Sequence, residues 1–351
     1  MKYRILYLGD SRIGTNSLYR ANALSRLGHE VTHLDPWLKM YSGRDNVWCD
    51  RVHYSTGYLF VQWIMRARLK RELEKLGRSY DAAWVTSGEL FGPGIVRDLK
   101  AAGTRTVLFN MDDPTGSRDG ARWLSLRAAI TEYDLCALVR EESVKEFSER
   151  GAHRVMRVCS GYDELEHRPF LNVADIHPDL RSKVAFVGTW MEDRDDFMAK
   201  LIERKVPVSI WGNRWQKSPR WNKIKSAWRG PALAGRDYAG AIQGAKICLG
   251  LLSRGNRDRK TTRSAEIPYA GGLLCAERTS EHLAMYREGY EAVFWSDADE
   301  CARLCHELLA DAPRREAIRQ AGRRRVLELK IGNEDCCRRI LRELFMPPMP
   351  R

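Results

Sequence analysis

Residues 256 to 277 combine charge and turn-forming residues in a pattern that suits a phosphorylated ligand. Four cations, Arg257, Arg259, Lys260 and Arg263, share one loop with two carboxylates, Asp258 and Glu266, set eight residues apart. The apolar run Ile247 to Leu252 reads as a buried strand, so the loop leaves its C-terminal end, the edge at which open α/β sheets bind ligands. Thr261, Thr262 or Ser264 would cap a helix through Glu266 to Ala270, and the free N–H groups of a helix start suit a phosphate. Glu266 would there accept hydrogen bonds from a vicinal diol such as a ribose. Gly271-Gly272 ends that helix, and Leu273 to Ala276 forms the next strand. On residue types alone, a solvated loop before a surface helix accounts for the run equally well.

A second pair of carboxylates, Asp112 and Asp113, follows the strand Arg105 to Asn110 and precedes Pro114, which disfavours helix at Asp113. Either one is a candidate to bind a hydroxyl or orient a nucleophile, and a turn cap is the alternative. Nearer the N-terminus, Gly14 lies in a loop between the apolar run Arg4 to Gly9 and a helix carrying Leu18, Ala21, Leu24 and Leu27. Gly14 lets the backbone approach a ligand, and Asn16 or Ser17 is expected to cap the helix. No G-x-G-x-x-G is present, so a dinucleotide fingerprint is not supported.

These residues need a scaffold, and hydrophobic periodicity supplies one. After a second strand at Glu30 to Asp35, Trp37 to Gly57 reads as irregular and Tyr58 to Leu76 as a helix bearing Arg66, Arg68, Lys70 and Arg71. Strands Asp81 to Val85, Arg105 to Asn110, Leu135 to Val139 and Val155 to Cys159 then alternate with helices Gly92 to Ala102, Ala121 to Tyr133 and Glu142 to Gly151. This alternation predicts an α/β doubly wound parallel sheet. It resumes with strands at Lys183 to Trp190, Val206 to Gly212, Lys246 to Leu252 and Ala292 to Trp295, and with helices at Ala298 to Ala310, Arg314 to Lys330 and Asn333 to Phe345. Pro347 to Pro350 reads as a frayed tail.

The chain has 351 residues, enough for two domains of about 150 to 180 residues each. No tract approaches the roughly 20 apolar residues of a membrane span, and no signal peptide is expected, so the cytoplasm is the expected compartment. The nine cysteines include no C-x-x-C; Cys301, Cys305 and His306 share one helix, and buried free thiols without a metal are expected. Lys plus Arg total 59 against 46 acidic residues, a net +13 that favours nucleotide phosphates, a polyanionic acceptor or an anionic membrane surface. The basic stretch Arg214 to Arg229 carries Trp215, Trp221 and Trp228, an interleaving that also keeps nucleic acid in play.

The ordered run Asp258, Thr262-Arg263, Glu266-Ile267-Pro268, Gly271-Gly272, Ala276 to Thr279, Glu281-His282 and Glu291 to Phe294 resembles the C-terminal signature of the CgeB-like glycosyltransferases. These are named for a spore maturation protein and belong to the GT-B group. The resemblance implies two Rossmann-like domains whose parallel sheets face a central cleft. An acceptor-side domain would span 1–165 and a nucleotide-sugar domain 166–330, with a C-terminal helix and tail, 331–351, crossing back to the first domain. It places Gly14 toward donor and acceptor, Gly188 and Thr189 beside the donor phosphates, and Gly212 and Asn213 at the nucleotide, with Trp215 packing beneath. Arg194 would pair with Asp193, and Ser160 to Pro169 resembles the passage leaving the first domain, giving a linker at 160–182 and a structural His167.

The implied activity is transfer of a sugar from a nucleoside diphosphate sugar, UDP-sugar favoured, to a hydroxyl of a cell-surface glycan, glycolipid or protein. Asp258, Lys260, Thr262, Arg263 and Glu266 would hold the donor, and Lys260 and Arg263 would stabilise the departing diphosphate without metal or other cofactor. Asp258-x7-Glu266 resembles the E-x7-E of retaining enzymes, with Asp in place of the first Glu, and so favours retention. Inversion would make Asp112 or Asp113 the base. Two other expectations compete: a sugar-transferring enzyme acting on modified DNA bases, and a GT-B module that binds carbohydrate without turnover.

Overall fold

The computed structural model describes all residues except 42, 44, 45, 102 and 347–351, so the expected frayed tail lies outside the described residues. Two units are present, Met1–Ser160 with Asn333–Arg351, and Gly161–Gly332. The segment read as a linker belongs to the second unit from Gly161 onward. Tyr162 stacks on Tyr269 at 3.6 Å, and Tyr269 Oη donates to the Glu164 carbonyl at 2.8 Å.

In the first unit, strands β1 (Arg4–Leu8), β2 (Glu30–Leu34), β3 (Ala82–Thr86), β4 (Arg105–Asn110), β5 (Leu135–Leu138) and β6 (Val155–Arg157) form one parallel sheet in the order β2-β1-β3-β4-β5-β6. Its strands read as near-continuous apolar runs because both faces are covered. Leu6, Leu8, Val85 and Leu108 point into one core, shared with Met65 and Leu69 of the helix Gln62–Leu76 and with Ile95 and Val96 of the helix Pro93–Ala101. Ile5, Tyr7, Trp84, Val107 and Phe109 point into the other, closed by the helix Asn16–Arg26 and the C-terminal helix Asn333–Phe345. That last helix buries Cys336, Cys337, Ile340, Leu341 and Leu344, and Glu334 pairs with Arg26 at 2.8 Å.

The second unit repeats the scheme with β7 (Ser182–Val187), β8 (Val208–Trp211), β9 (Trp228–Gly230), β10 (Ala245–Gly250), β11 (Leu274–Glu277) and β12 (Val293–Trp295), parallel throughout, in the order β12-β11-β10-β7-β8-β9. In open α/β sheets ligands sit outside the carboxyl ends of the strands where the order reverses. That point lies between β1 and β3 in the first sheet and between β7 and β10 in the second.

Local structure departs from the sequence reading in four places. Trp37 to Gly57 is not irregular: Pro36–Lys39 and Val47–Ser55 are helices, the second capped by Asn46, whose side chain accepts from the amides of Trp48 and Cys49. Thr15, rather than Asn16 or Ser17, caps the first helix, accepting from Leu18 N. The predicted helix Ala121 to Tyr133 is α-helical only over Leu124–Ala129, with 3₁₀ turns at either side. The basic stretch 214–229 contains a short helix, Trp221–Ile224, and the start of edge strand β9.

Candidate functional site

At the second sheet's reversal, the loops after β7 and β10 are tied by a buried arginine. Arg194 Nη1 donates to the Thr189 carbonyl at 2.7 Å, and its Nη2 to the Leu252 carbonyl at 3.1 Å. This guanidinium therefore fixes the two strand ends that frame the reversal, a role that replaces the expected pairing with Asp193. Gly188 and Thr189 lie at the β7 end. Gly212, at the end of β8, rests on them: Trp215 Nε1 donates to the Gly188 carbonyl at 2.9 Å, and Trp190 N donates to the Asn213 carbonyl at 3.0 Å. A Cβ at Gly212 would overlap the Gly188 carbonyl oxygen. Gly212→Ala is thus expected to cost about 1 to 3 kcal/mol of stability in this unit, read as a lower midpoint in urea unfolding. Asn213 is exposed, and its side-chain oxygen accepts from Ala232 N at 3.1 Å.

The helix after the cationic loop runs Arg263–Tyr269, starting three residues before Glu266. Thr262 occupies its N-cap position without a side-chain cap bond, and the amides of Ser264 and Ala265 turn back to the carbonyls of Thr261 and Thr262. Arg263 reaches across to the reversal, where its Nε donates to the Val187 carbonyl at 2.7 Å, leaving the two terminal amines to point elsewhere. Glu266 is buried and accepts from Tyr238 Oη at 2.8 Å. Burial and the Glu266 charge hold the Tyr238 phenol well above its ordinary pKa, so it remains a donor. Lys260 pairs with Glu281 in a mostly buried ion pair. Asp258, partly buried, lies two residues before it in the same loop.

Beneath this helix lies a network that sequence reading missed, although Ser264, Glu281 and His282 were all in view. His282 Nδ1 is 2.7 Å from the Glu277 carbonyl and must carry the proton there. Its Nε2 then accepts from Ser264 Oγ at 2.7 Å, and Tyr286 Oη donates to the Ser264 carbonyl at 2.7 Å. Burial lowers the pKa of His282, in keeping with the neutral tautomer this bonding requires. With the folded pKa below the ordinary 6.5, the unfolded chain binds the proton more readily. Stability is therefore full above about pH 6.5 and falls as pH drops through that value toward the folded pKa. Unfolding midpoints measured across that range should show the fall in the native chain and a shallower one in His282→Gln.

In the first unit, the loops after β1 and β3 enclose a recess of about 250 Å³, lined by Asp10, Arg12, Ser87, Glu89 and Arg122 among others. The β1 loop is held from outside, since Ser11 N and Oγ donate to Asp35 at 2.8 and 3.0 Å. Gly14 sits in it at φ 86°, a left-handed conformation that favours glycine. Arg122 pairs with the buried Glu89 and lies close enough to Asp112 to act on its charge. Burial raises the pKa of Asp112 against the pull of Arg122 and Arg140. Asp113 instead caps its own turn, accepting from Gly116 N at 3.1 Å. Glu89 and Arg122 were not found from sequence because only the strand order brings positions 33 residues apart together.

Seven of the nine cysteines are buried, Cys159 is half-buried, and Cys49 is exposed, which corrects the expectation of buried thiols at that position. Cys275, Cys301 and Cys305 have their sulfurs within 4.8 Å of one another in the core, a set that could take a soft cation. His306 is engaged elsewhere, its Nε2 2.9 Å from the Arg204 carbonyl. The indoles of the basic stretch are spent on packing: Trp215 is fully buried and Trp221 packs edge-on to Trp228 at 5.8 Å.

Residues 194–330 match the family model described as glycosyl transferase-like, which takes in the cationic loop, Glu266 and the Arg194 staple. No curated protein matches the chain in sequence. Among solved structures, the chain is similar to Anabaena HepE in complex with UDP and glucose (TM-score 0.69, 12% identity) and to sucrose-phosphate synthase from Thermosynechococcus elongatus (0.68, 12%). It is also similar to a UDP-forming trehalose-phosphate synthase from Burkholderia xenovorans in complex with glucose-6-phosphate (0.64, 14%). Each alignment covers 97% of this chain and 99% of the other. The chain has a GT-B fold, within which residues 194–330 are similar to a glycosyl transferase-like family. In this GT-B chain no helix among the described residues is long and apolar enough to cross a membrane.

Proposed function

We propose that the protein transfers a sugar from a nucleoside diphosphate sugar, a UDP-sugar in the first instance, to an acceptor hydroxyl on a glycan, lipid or protein. The observation that carries this reading is the placement of Arg263 and Glu266 at the reversal of the second sheet. There a guanidinium whose two terminal amines have no hydrogen bond among the described residues and a buried carboxylate are fixed within one seven-residue helix. In this reading Arg263 takes the charge that builds on the diphosphate as the glycosidic bond breaks, Glu266 holds the ribose, and Gly188 and Thr189 border the phosphates. Lys260, already paired with Glu281, contributes less. The cations take the place of a metal, so no cofactor is needed. The HepE structure with UDP and glucose supports UDP as the nucleotide to try first.

The CgeB-like signature and the Asp258-x7-Glu266 spacing support retention, with the leaving diphosphate helping to deprotonate the acceptor. One observation favours a second reading. Asp112, with its raised pKa, lies within reach of Arg122 and so near the recess of the first unit, and there it would serve as base in an inverting reaction. The test is direct: purified protein incubated with UDP-glucose should release UDP above the rate without protein. A donor at about 100 times its dissociation constant should stabilise the fold by about 2.7 kcal/mol. Failure on both counts across uridine, guanosine, adenosine and thymidine diphosphate sugars would defeat the proposal.

A further inference from the structure

The helical hairpin between β2 and β3 exposes apolar surface that its own unit does not use. The helix Val47–Ser55 buries none of its nine residues, yet it carries Val47, Trp48, Val52 and Tyr54. The chain turns through Gly57 and Tyr58, both at positive φ, into the 3₁₀ turn Leu59–Val61 and the helix Gln62–Leu76. Trp48, Phe60 and Trp63 remain 76%, 70% and 73% exposed. Scattered single apolar side chains need no explanation, but three large aromatics exposed within sixteen residues of chain are a concentration that marks an interaction surface.

Charge identifies the occupant. Residues 46–80 hold seven basic side chains (positions 51, 66, 68, 70, 71, 75 and 78) against three acidic ones (50, 72 and 74). On the helix Gln62–Leu76 the exposed stripe runs Trp63, Arg66, Ala67, Lys70, Arg71, at the i, i+3, i+4 spacing of one face, while Met65 and Leu69 point into the core. Arg66 is occupied by Asp98 and Arg68 by the Met40 carbonyl. Arg51, Lys70 and Arg71 have no ion pair among the described residues. A second copy of this face would bring like charges together, so self-association is disfavoured. Exposed aromatics on a segment that also carries cations without an ion pair among the described residues instead match the interfacial layer of an anionic bilayer, where indoles sit at headgroup depth and each nearby cation adds attraction. Trp63 also borders a groove of about 710 Å³ between this helix and Pro93–Ala101, lined by Leu69, Leu73 and Ile95, so apolar surface continues inward from Trp63.

We propose that the hairpin docks the protein on an anionic phospholipid surface, with Trp48, Phe60 and Trp63 in the interfacial layer and Arg51, Lys70 and Arg71 against the lipid phosphates. This surface is independent of the donor site, and the two readings fail separately. The full chain should co-sediment with vesicles of phosphatidylglycerol and phosphatidylcholine in equal parts and only weakly with phosphatidylcholine alone. The triple variant Trp48→Ser, Phe60→Ser, Trp63→Ser, and separately Arg51→Glu with Arg71→Glu, should each reduce binding to the mixed vesicles about tenfold or more. All these side chains are exposed, and retained UDP binding with an unchanged unfolding midpoint would show that the variants fold. Three results would each overturn the proposal: no binding by the native chain, equal binding to both vesicles, or full binding by both variants. So would a dimer in sedimentation velocity that the aromatic substitutions dissolve. Absent UDP binding with intact vesicle binding would count against the donor site alone.

Discussion

Arg263→Ala should weaken UDP by about 1.5 to 3 kcal/mol, roughly 10- to 150-fold, the range for a lost charge-assisted hydrogen bond. The structure explains why this cation should outweigh its neighbours. Its Nε is held by the Val187 carbonyl at 2.7 Å, so the guanidinium is oriented before any ligand arrives and little side-chain entropy remains to be lost. Lys260, neutralised by Glu281, should lose only a few-fold on substitution with Ala. Arg263→Lys separates charge from geometry, because an ammonium keeps the charge but cannot bond the strand end and the phosphate in one plane. Titration calorimetry with UDP and with uridine checks the assignment: both variants should lose affinity for UDP, Ala more than Lys, while uridine is unaffected. Equal weakening of uridine would move the phosphates away from Arg263.

The same residues show what could be read from the chain and what could not. Strands were legible because parallel strands buried on both faces are apolar runs, and Arg105–Asn110 was placed to the residue. The helix Val47–Ser55 was not legible, because a helix that buries no face leaves no hydrophobic period to detect. Strand β9 lay within a run of basic residues whose tryptophans suggested a stacking surface. Trp215 proved to be core and Trp221 and Trp228 pack half-buried against it, and sequence does not say which side of an indole faces solvent. Lys260 looked like one of four equivalent cations, and its partner Glu281 stands 21 residues away across a helix and a strand. The pairings that shape both units, Arg194 to the β10 end and Glu89 to Arg122, depend on strand order, which local pattern does not specify.

Glu266 is the position at which the two levels meet, and it yields the most discriminating result. The sequence placed a carboxylate near a helix start; the structure adds that it is buried, that Tyr238 holds one of its oxygens at 2.8 Å, and that among the described residues Tyr238 is the one hydrogen-bond partner of the carboxylate. A buried carboxylate with a single neutral donor retains acceptor capacity for a vicinal diol. Glu266→Ala should raise the dissociation constant of UDP about 100-fold, near 2.7 kcal/mol, and Glu266→Gln about tenfold, since Gln keeps one good acceptor and loses the charge. Neither change should much affect the 2′,3′-dideoxy nucleotide, which offers no diol. Tyr238→Phe supplies the internal comparison. It frees the carboxylate without removing it, so the ribose preference should persist even if overall affinity falls. If UDP and its dideoxy counterpart weaken together in both Glu266 variants, the carboxylate only holds Tyr238 and the helix in place, and the ribose must be bound elsewhere.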